Sequence, residues 1–325
     1  QKIGKLIGLA VFSSDALSSV AYAPQELLLI LASAGVMALH LSIPIAFAIC
    51  ALLAILILSY EQTIHAYPDG GGAYIVARDN IGELPAQTAA AALLTDYILT
   101  VAVSISSGVA QLVSAFPILF EYRIVISVAF VFLVMLINLR GVKESGTAFA
   151  IPTYFFILMM AATIIFGLVR FFLGSLGTVD MPPTDIISLH QTLEPITIFL
   201  ILKAFSSGTT ALTGVEAISN GITAFKEPRS KNAGTTLVIM AFILGSMMLS
   251  ITFLANKIGA YPSEEETVIS QLARTVFENG SVLYIGIIAA TTVILIMAAN
   301  TAFNGFPLLG AMAAKIGRAS CRERV

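Results

Sequence analysis

The amino-acid sequence predicts an all-α protein that crosses a membrane many times, and three observations carry that prediction. Hydrophobic residues make up 58% of the 325 positions and charged residues only 11%, whereas soluble domains average about 45–50% and about 25%. Stretches such as Ile43–Leu58 and Leu283–Ala299 hold no charge at all. A bilayer-crossing helix needs about 20 mostly apolar residues, and eight segments supply them, at roughly residues 6–34, 41–65, 86–116, 122–138, 147–172, 195–220, 233–256 and 281–313. Length alone would permit two soluble domains, but repeated spans favour one polytopic membrane domain. A net charge of −2 offers no basic footprint for nucleic acid.

Taken in order, span one is apolar on both sides of a polar centre, Ser13-Ser14-Asp15 and Ser18-Ser19. Span two runs into Tyr67-Pro68-Asp69-Gly70-Gly71-Gly72, a breaker cluster that must leave helix geometry. No Gly-Lys-Ser/Thr follows the glycines, so the cluster reads as a turn rather than a phosphate cradle. The short stretch Ala73–Glu83 leads into span three, where Asp96, Thr100 and Ser104 recur every fourth residue and Ser107 and Gln111 extend the row. Spans four and five are plainly apolar. Span six again holds a polar centre, Ser206 to Glu216. Between spans seven and eight, Pro262–Asn279 reads as a short amphipathic helix outside the membrane.

Lys and Arg concentrate on the cytoplasmic side of membrane proteins. With the N-terminus inside, cytoplasmic segments hold Lys2, Lys5, Arg78, Arg140, Lys143, Lys226, Arg229 and Lys231, and the outer loops hold Arg123, Arg170, Lys257 and Arg274. A cytoplasmic N-terminus is therefore expected. Cys50 and Cys321 suggest neither a disulfide framework nor a thiolate metal site. His40, His65 and His190 read as interfacial or solvated side chains. The sequence opens at Gln1 without a start methionine or a secretory signal. Residues 316–325 break abruptly from the apolar text before them and resemble a translated sequencing adapter. A transmembrane domain is thus expected over 1–315, as a fragment that would not transport alone, with a non-native tail at 316–325.

Spans one and six share a Phe-Ser-Ser followed by small polar residues, at Phe12 and at Phe205. Serine and threonine compete for backbone hydrogen bonds, and glycine costs a helix about 1 kcal/mol relative to alanine. Each span is primed to unwind locally. Unwound backbone in a bilayer needs protein, water or an ion as its partner. Paired interruptions at matching places in two repeats point to a transport site, and helices one and six match in a five-helix inverted repeat. The competing reading is a chance recurrence, with the serines bonding back within intact helices.

Asp15 follows Lys5 by ten positions, roughly 15 Å of helix, which places it near mid-bilayer. A carboxylate there costs about 2.5–3.5 kcal/mol on insertion scales and marks an ion pathway by default. The alternative is a helix N-cap at the membrane surface, since Ser-Ser-Asp is good capping text. Tyr22 lies two turns further along the same face. The row Asp96, Thr100 and Ser104 forms one stripe on span three; interhelical hydrogen bonding explains the hydroxyls but not the acid. Glu216, with Asp96, is a candidate for carrying a coupling proton; it could equally be a structural partner of the backbone or of Lys203. Glu26, after Pro24, reads as structural.

An amino acid carrier must receive a substrate carboxylate, which suits a glycine-rich break with free N–H groups. Span one has no glycine at its break and contributes Asp15 instead. A fixed carboxylate attracts a cation. Hydroxyl, carboxylate and carbonyl oxygens are hard ligands that replace an alkali ion's hydration shell. These residue types do not separate potassium from sodium.

Seven blocks carry a family resemblance: Phe12-Ser-Ser-Asp-Ala-Leu-Ser-Ser-Val-Ala-Tyr22, Tyr67-Pro-Asp-Gly-Gly-Gly-Ala-Tyr-Ile-Val76, Asp96-Tyr-Ile-Leu-Thr-Val-Ala-Val-Ser-Ile-Ser106, Asn138-Leu-Arg-Gly141, Lys203-Ala-Phe-Ser-Ser-Gly208, Ala211-Leu-Thr-Gly-Val-Glu-Ala-Ile-Ser-Asn220 and Ala298-Ala-Asn-Thr-Ala-Phe303. Over essentially all of 1–315 the chain resembles the KimA-type potassium importers of the amino acid–polyamine–organocation superfamily. The resemblance implies proton-coupled potassium uptake by alternating access through a LeuT-like inverted-repeat fold in the cell membrane, with no cofactor. It implies potassium ligands at Asp15, Tyr22, Thr100, Ser104 and Thr213, with Asp96 and Glu216 near the ion path. The family's helices nine to twelve have no counterpart here. Nor does its C-terminal cytoplasmic domain, which supports homodimers and binds cyclic di-AMP. An amino acid or polyamine permease of the same fold is the alternative, since a polyamine is also cationic. An intramembrane enzyme lacks support, because neither His-Glu-x-x-His nor Gly-x-Gly-Asp occurs. A channel fits interrupted helices less well than a carrier does.

Overall fold

A computed structural model describes residues 2–140, 146–179 and 195–313. Lys143, His190, Cys321 and the 316–325 tail lie outside them. Among the described residues the chain is helical apart from one isolated β-bridge between Ile3 and Phe225. Eight spans among the described residues are long and apolar enough to cross a membrane: Lys5–Ala32, Val36–Ala66, Glu83–Ala115, Pro117–Leu139, Phe149–Phe172, Ile198–Asn220, Arg229–Ile258 and Val282–Pro307. The protein is a multi-pass membrane protein.

Spans two and four begin about five residues before the sequence expectation. Each is entered through a 3₁₀ helix, Val36–Leu41 after Gly35 and Pro117–Tyr122. The glycine cluster holds Gly70, Gly71 and Gly72 at φ +86°, +108° and +49°, and a short helix, Gly72–Asn80, follows. The amphipathic helix is Val268–Phe277; the Thr267 side chain caps it by accepting from the Ser270 N–H at 3.2 Å.

Span one is the centre of the bundle. Most of span one is buried, whereas almost all of span four is exposed at the periphery. Spans five, seven and eight surround the first half of span one, and its second half rests on span six. Span eight runs along span three, and span seven along span two. Lipid tails are as apolar as leucine, so close packing and polar contacts must hold such helices together. Gly8 lies under the Phe225 ring and Gly221 under the Phe12 ring, and those two rings stack at 5.4 Å. The bridge joins the same ends through Ile3 N–H to Ala224 O and Lys226 N–H to Ile3 O, both 2.9 Å. Asn138 of span four donates to Asn300 of span eight at 2.7 Å.

Both polar centres leave α-helical geometry. In span one the α-helix Lys5–Ser18 gives way to a 3₁₀ turn, Ser19–Ala21, before Ala23–Ala32 resumes. In span six the helix Ile198–Gly208 passes through a 3₁₀ turn, Thr209–Leu212, to an extended Thr213 and to Gly214 at φ +77°. One turn, Ala217–Asn220, completes the span. Hydroxyls bonding three residues back account for the change, because they occupy carbonyls that the ladder would use. Ser18 donates to Asp15 O at 2.7 Å and Ser19 to Ala16 O at 2.6 Å. Thr209, Thr210 and Thr213 donate to the carbonyls of Ser206, Ser207 and Thr210 at 2.6, 2.8 and 3.0 Å. Pro24 lacks an N–H and cannot carry the ladder across the span-one turn.

Candidate ion site

The two irregular turns touch. Ser19 Oγ also donates to Ala211 O at 2.8 Å, and Tyr22 Oη shares a hydrogen bond with Thr213 Oγ1 at 3.2 Å. A Cβ on Gly214 would sit 2.8 Å from the Asp15 carboxylate and from the Ala16 nitrogen. Only glycine lets the span-six turn close onto that carboxylate, and only glycine takes φ +77° without strain.

Asp15 sits inside the helix Lys5–Ser18, whose N-cap is Gly4. The surface-cap alternative is therefore replaced: Asp15 is an interior residue, 4% exposed. Its Oδ1 has no hydrogen-bond partner, and neither has the buried Ser104 Oγ. Buried polar atoms are satisfied in the great majority of cases, so such orphans ask for a ligand. Thr100 is buried one turn before Ser104 on span three. Glu216 is buried and Asp96 half-buried, both near enough to act on Asp15 electrostatically.

The structure thus joins Tyr22 to Thr213 and lays the next residue, Gly214, against Asp15, with Glu216 and Asp96 close by. Thr100 and Ser104 share a buried face of span three but make no hydrogen bond to the span-one residues. Several polar side chains turn elsewhere. Gln111, at the end of the span-three row, accepts from Thr267 at 2.9 Å and so braces the loop before the amphipathic helix. Lys203 is exposed beside Phe199 and Leu202, and no ion pair joins it to Glu216; that structural pairing is corrected. Glu26 offers its carbonyl to Ser207 at 3.4 Å. His40 lies 3.4 Å from Asn256. Among the described residues no cluster of His, Cys, Asp and Glu suits a transition metal.

Sequence reasoning missed the contact of Gly214, which it counted only as a helix weakener. It also missed Tyr60 and Tyr97, which stand near Glu216 and Asp96. The only signal for Gly214 was its place directly after a threonine that ends a polar run.

Residues 4–315 match the family described as amino acid permease. The chain belongs to the amino acid permease family. Permeases move solutes across membranes and are not enzymes. This permease chain is similar to the potassium transporter KimA of Bacillus subtilis (strain 168), with 48% identity over 309 residues, 95% of this chain and 50% of that relative. The permease chain thus spans about half the length of the curated relative it matches.

Proposed function

We propose that the protein is the membrane part of a secondary active transporter that imports potassium by proton symport. The ion is held between the turns of spans one and six and the Thr100–Ser104 face of span three. One observation carries this reading: a buried carboxylate with an orphaned oxygen lies against a glycine turn of the other interrupted helix. A cation is the chemical partner that such a carboxylate lacks. Tyr22, Thr100, Ser104 and Thr213 add neutral oxygens, which suit a large, weakly hydrated alkali ion. The similarity to a potassium transporter favours potassium among the alkali ions.

Spans one and six act as the paired discontinuous helices of an inverted repeat, so that rocking of one half opens the site to either side. Glu216 and Asp96, the two carboxylates nearest Asp15, carry the coupling proton. The protein sits in the cell membrane with Lys2 and the 3–225 bridge on the cytoplasmic side, as the Lys and Arg distribution requires. Pairing of two copies through a cytoplasmic domain, which the family resemblance implies, belongs to the same proposal.

Rubidium uptake by the full-length protein, competed with potassium, putrescine and amino acids, tests the cargo. Potassium alone should compete. Competition by putrescine or an amino acid, but not by potassium, would replace this reading with an organic permease.

A further inference from the structure

At the Lys2 end of the bundle, spans two and seven part around Gly234 and leave a groove of 340 Å³. A Cβ on Gly234 would lie 3.5 Å from the His65 ring and 3.8 Å from Glu61 Cγ, so the glycine sets the depth of the groove. Glu61 and His65 stand one turn apart near the end of span two, the ring fixed by its Nδ1–H donating to Glu61 O at 2.9 Å. Lys231, Thr235 and Val238 line one face of span seven, with Ile239 beside them.

The charges here are placed unusually. Neighbouring groups neutralise one another: Lys2 and Arg229 with Glu227, and Arg78 with Asp79. Lys231 and Glu61 face the same groove but form no ion pair with each other or with another described residue. Past them the wall turns apolar, and Val238 and Ile239 are 51% and 42% exposed toward the membrane. A cation, an anion held apart from it, and an apolar wall running into the bilayer match three parts of one amphiphile.

We infer that this groove binds a phosphatidylethanolamine molecule. Lys231 takes the phosphate, Glu61 takes the headgroup ammonium, and an acyl chain lies along Val238 and Ile239. A primary ammonium donates charge-assisted hydrogen bonds to a carboxylate, which the quaternary group of phosphatidylcholine cannot do. Phosphatidylglycerol offers Glu61 no cation and meets its repulsion. Basic pockets between helices near the membrane surface hold lipid headgroups; the added acid here selects a zwitterion.

The test is native mass spectrometry of the full-length protein released from vesicles with equal amounts of phosphatidylethanolamine, phosphatidylcholine and phosphatidylglycerol. The wild type should retain one phosphatidylethanolamine in preference to the others. Glu61→Gln should bring phosphatidylethanolamine and phosphatidylcholine to parity, and Lys231→Gln should lower retention of every lipid about fivefold. Both side chains are exposed, and circular dichroism would verify unchanged helicity in each variant. Retention in the proportions of the vesicle, a preference for phosphatidylglycerol, or unchanged patterns in both variants would overturn the assignment. Because lipid mass is the readout, the outcome is independent of what the permease carries.

Discussion

The turn in span one and the turn in span six are built differently although both are written with Phe-Ser-Ser. Around Asp15 every residue from Ser13 to Ala23 is buried, no glycine is present, and three hydroxyls bond back to the helix that carries them. Span six between Thr209 and Gly214 is partly exposed and reaches extended and left-handed backbone. The first turn holds Asp15 within packed helix, and the glycine of the second lets that turn lie against the carboxylate. An irregular helix in a membrane can thus be closely packed and back-bonded or open and glycine-bent, and the side chains at the break decide which.

The largest effect should come from the span-one side. Asp15→Asn removes the charge but keeps the shape, and uptake by the full-length protein should fall to background with normal membrane insertion; uptake at the wild-type rate would show that the charge is not needed. Gly214→Ala should be nearly as severe by another route. The added methyl meets Asp15 and Ala16 at 2.8 Å, and left-handed backbone costs alanine about 1–2 kcal/mol, so thermal stability and uptake should drop together. An alanine at 214 that leaves both unchanged would remove the close approach of the span-six turn from the mechanism.

Asp96→Asn and Glu216→Gln each imitate a permanently protonated carboxyl. In the full-length protein at least one should flatten the dependence of uptake on external pH, and wild-type profiles in both would exclude these carboxyls from proton coupling. Smaller still is the Tyr22–Thr213 bond. Tyr22→Phe and Thr213→Val should each weaken apparent rubidium affinity several-fold, with a coupling of about 0.5–1.5 kcal/mol in the double mutant. Ser18→Ala, which removes one back-bond within the packed turn, should change uptake least.

The eight spans were legible because a bilayer imposes length and hydropathy one segment at a time. The entries to spans two and four were less so, since a 3₁₀ lead-in carries no hydropathy signal of its own. At the site, Asp15 and the Asp96–Thr100–Ser104 row could be found from depth and a period of four, which are properties of single helices. Tyr22 with Thr213, Ser19 with the Ala211 carbonyl, and Asp15 with Gly214 could not. Those pairs stand about 190–200 positions apart, and nothing local in either segment encodes its partner.

By itself the sequence determined eight membrane spans over these residues, with a buried acid in span one and hydroxyl-weakened turns in spans one and six. Composition, periodicity and charge suffice for that, because each acts over a few turns of one helix. Only the tertiary structure decided that the two turns meet, that a missing side chain at 214 lets them meet, and that Lys203 and Gln111 face away from the meeting point. Packing chooses among the faces that a helix offers, and that choice depends on every neighbour at once.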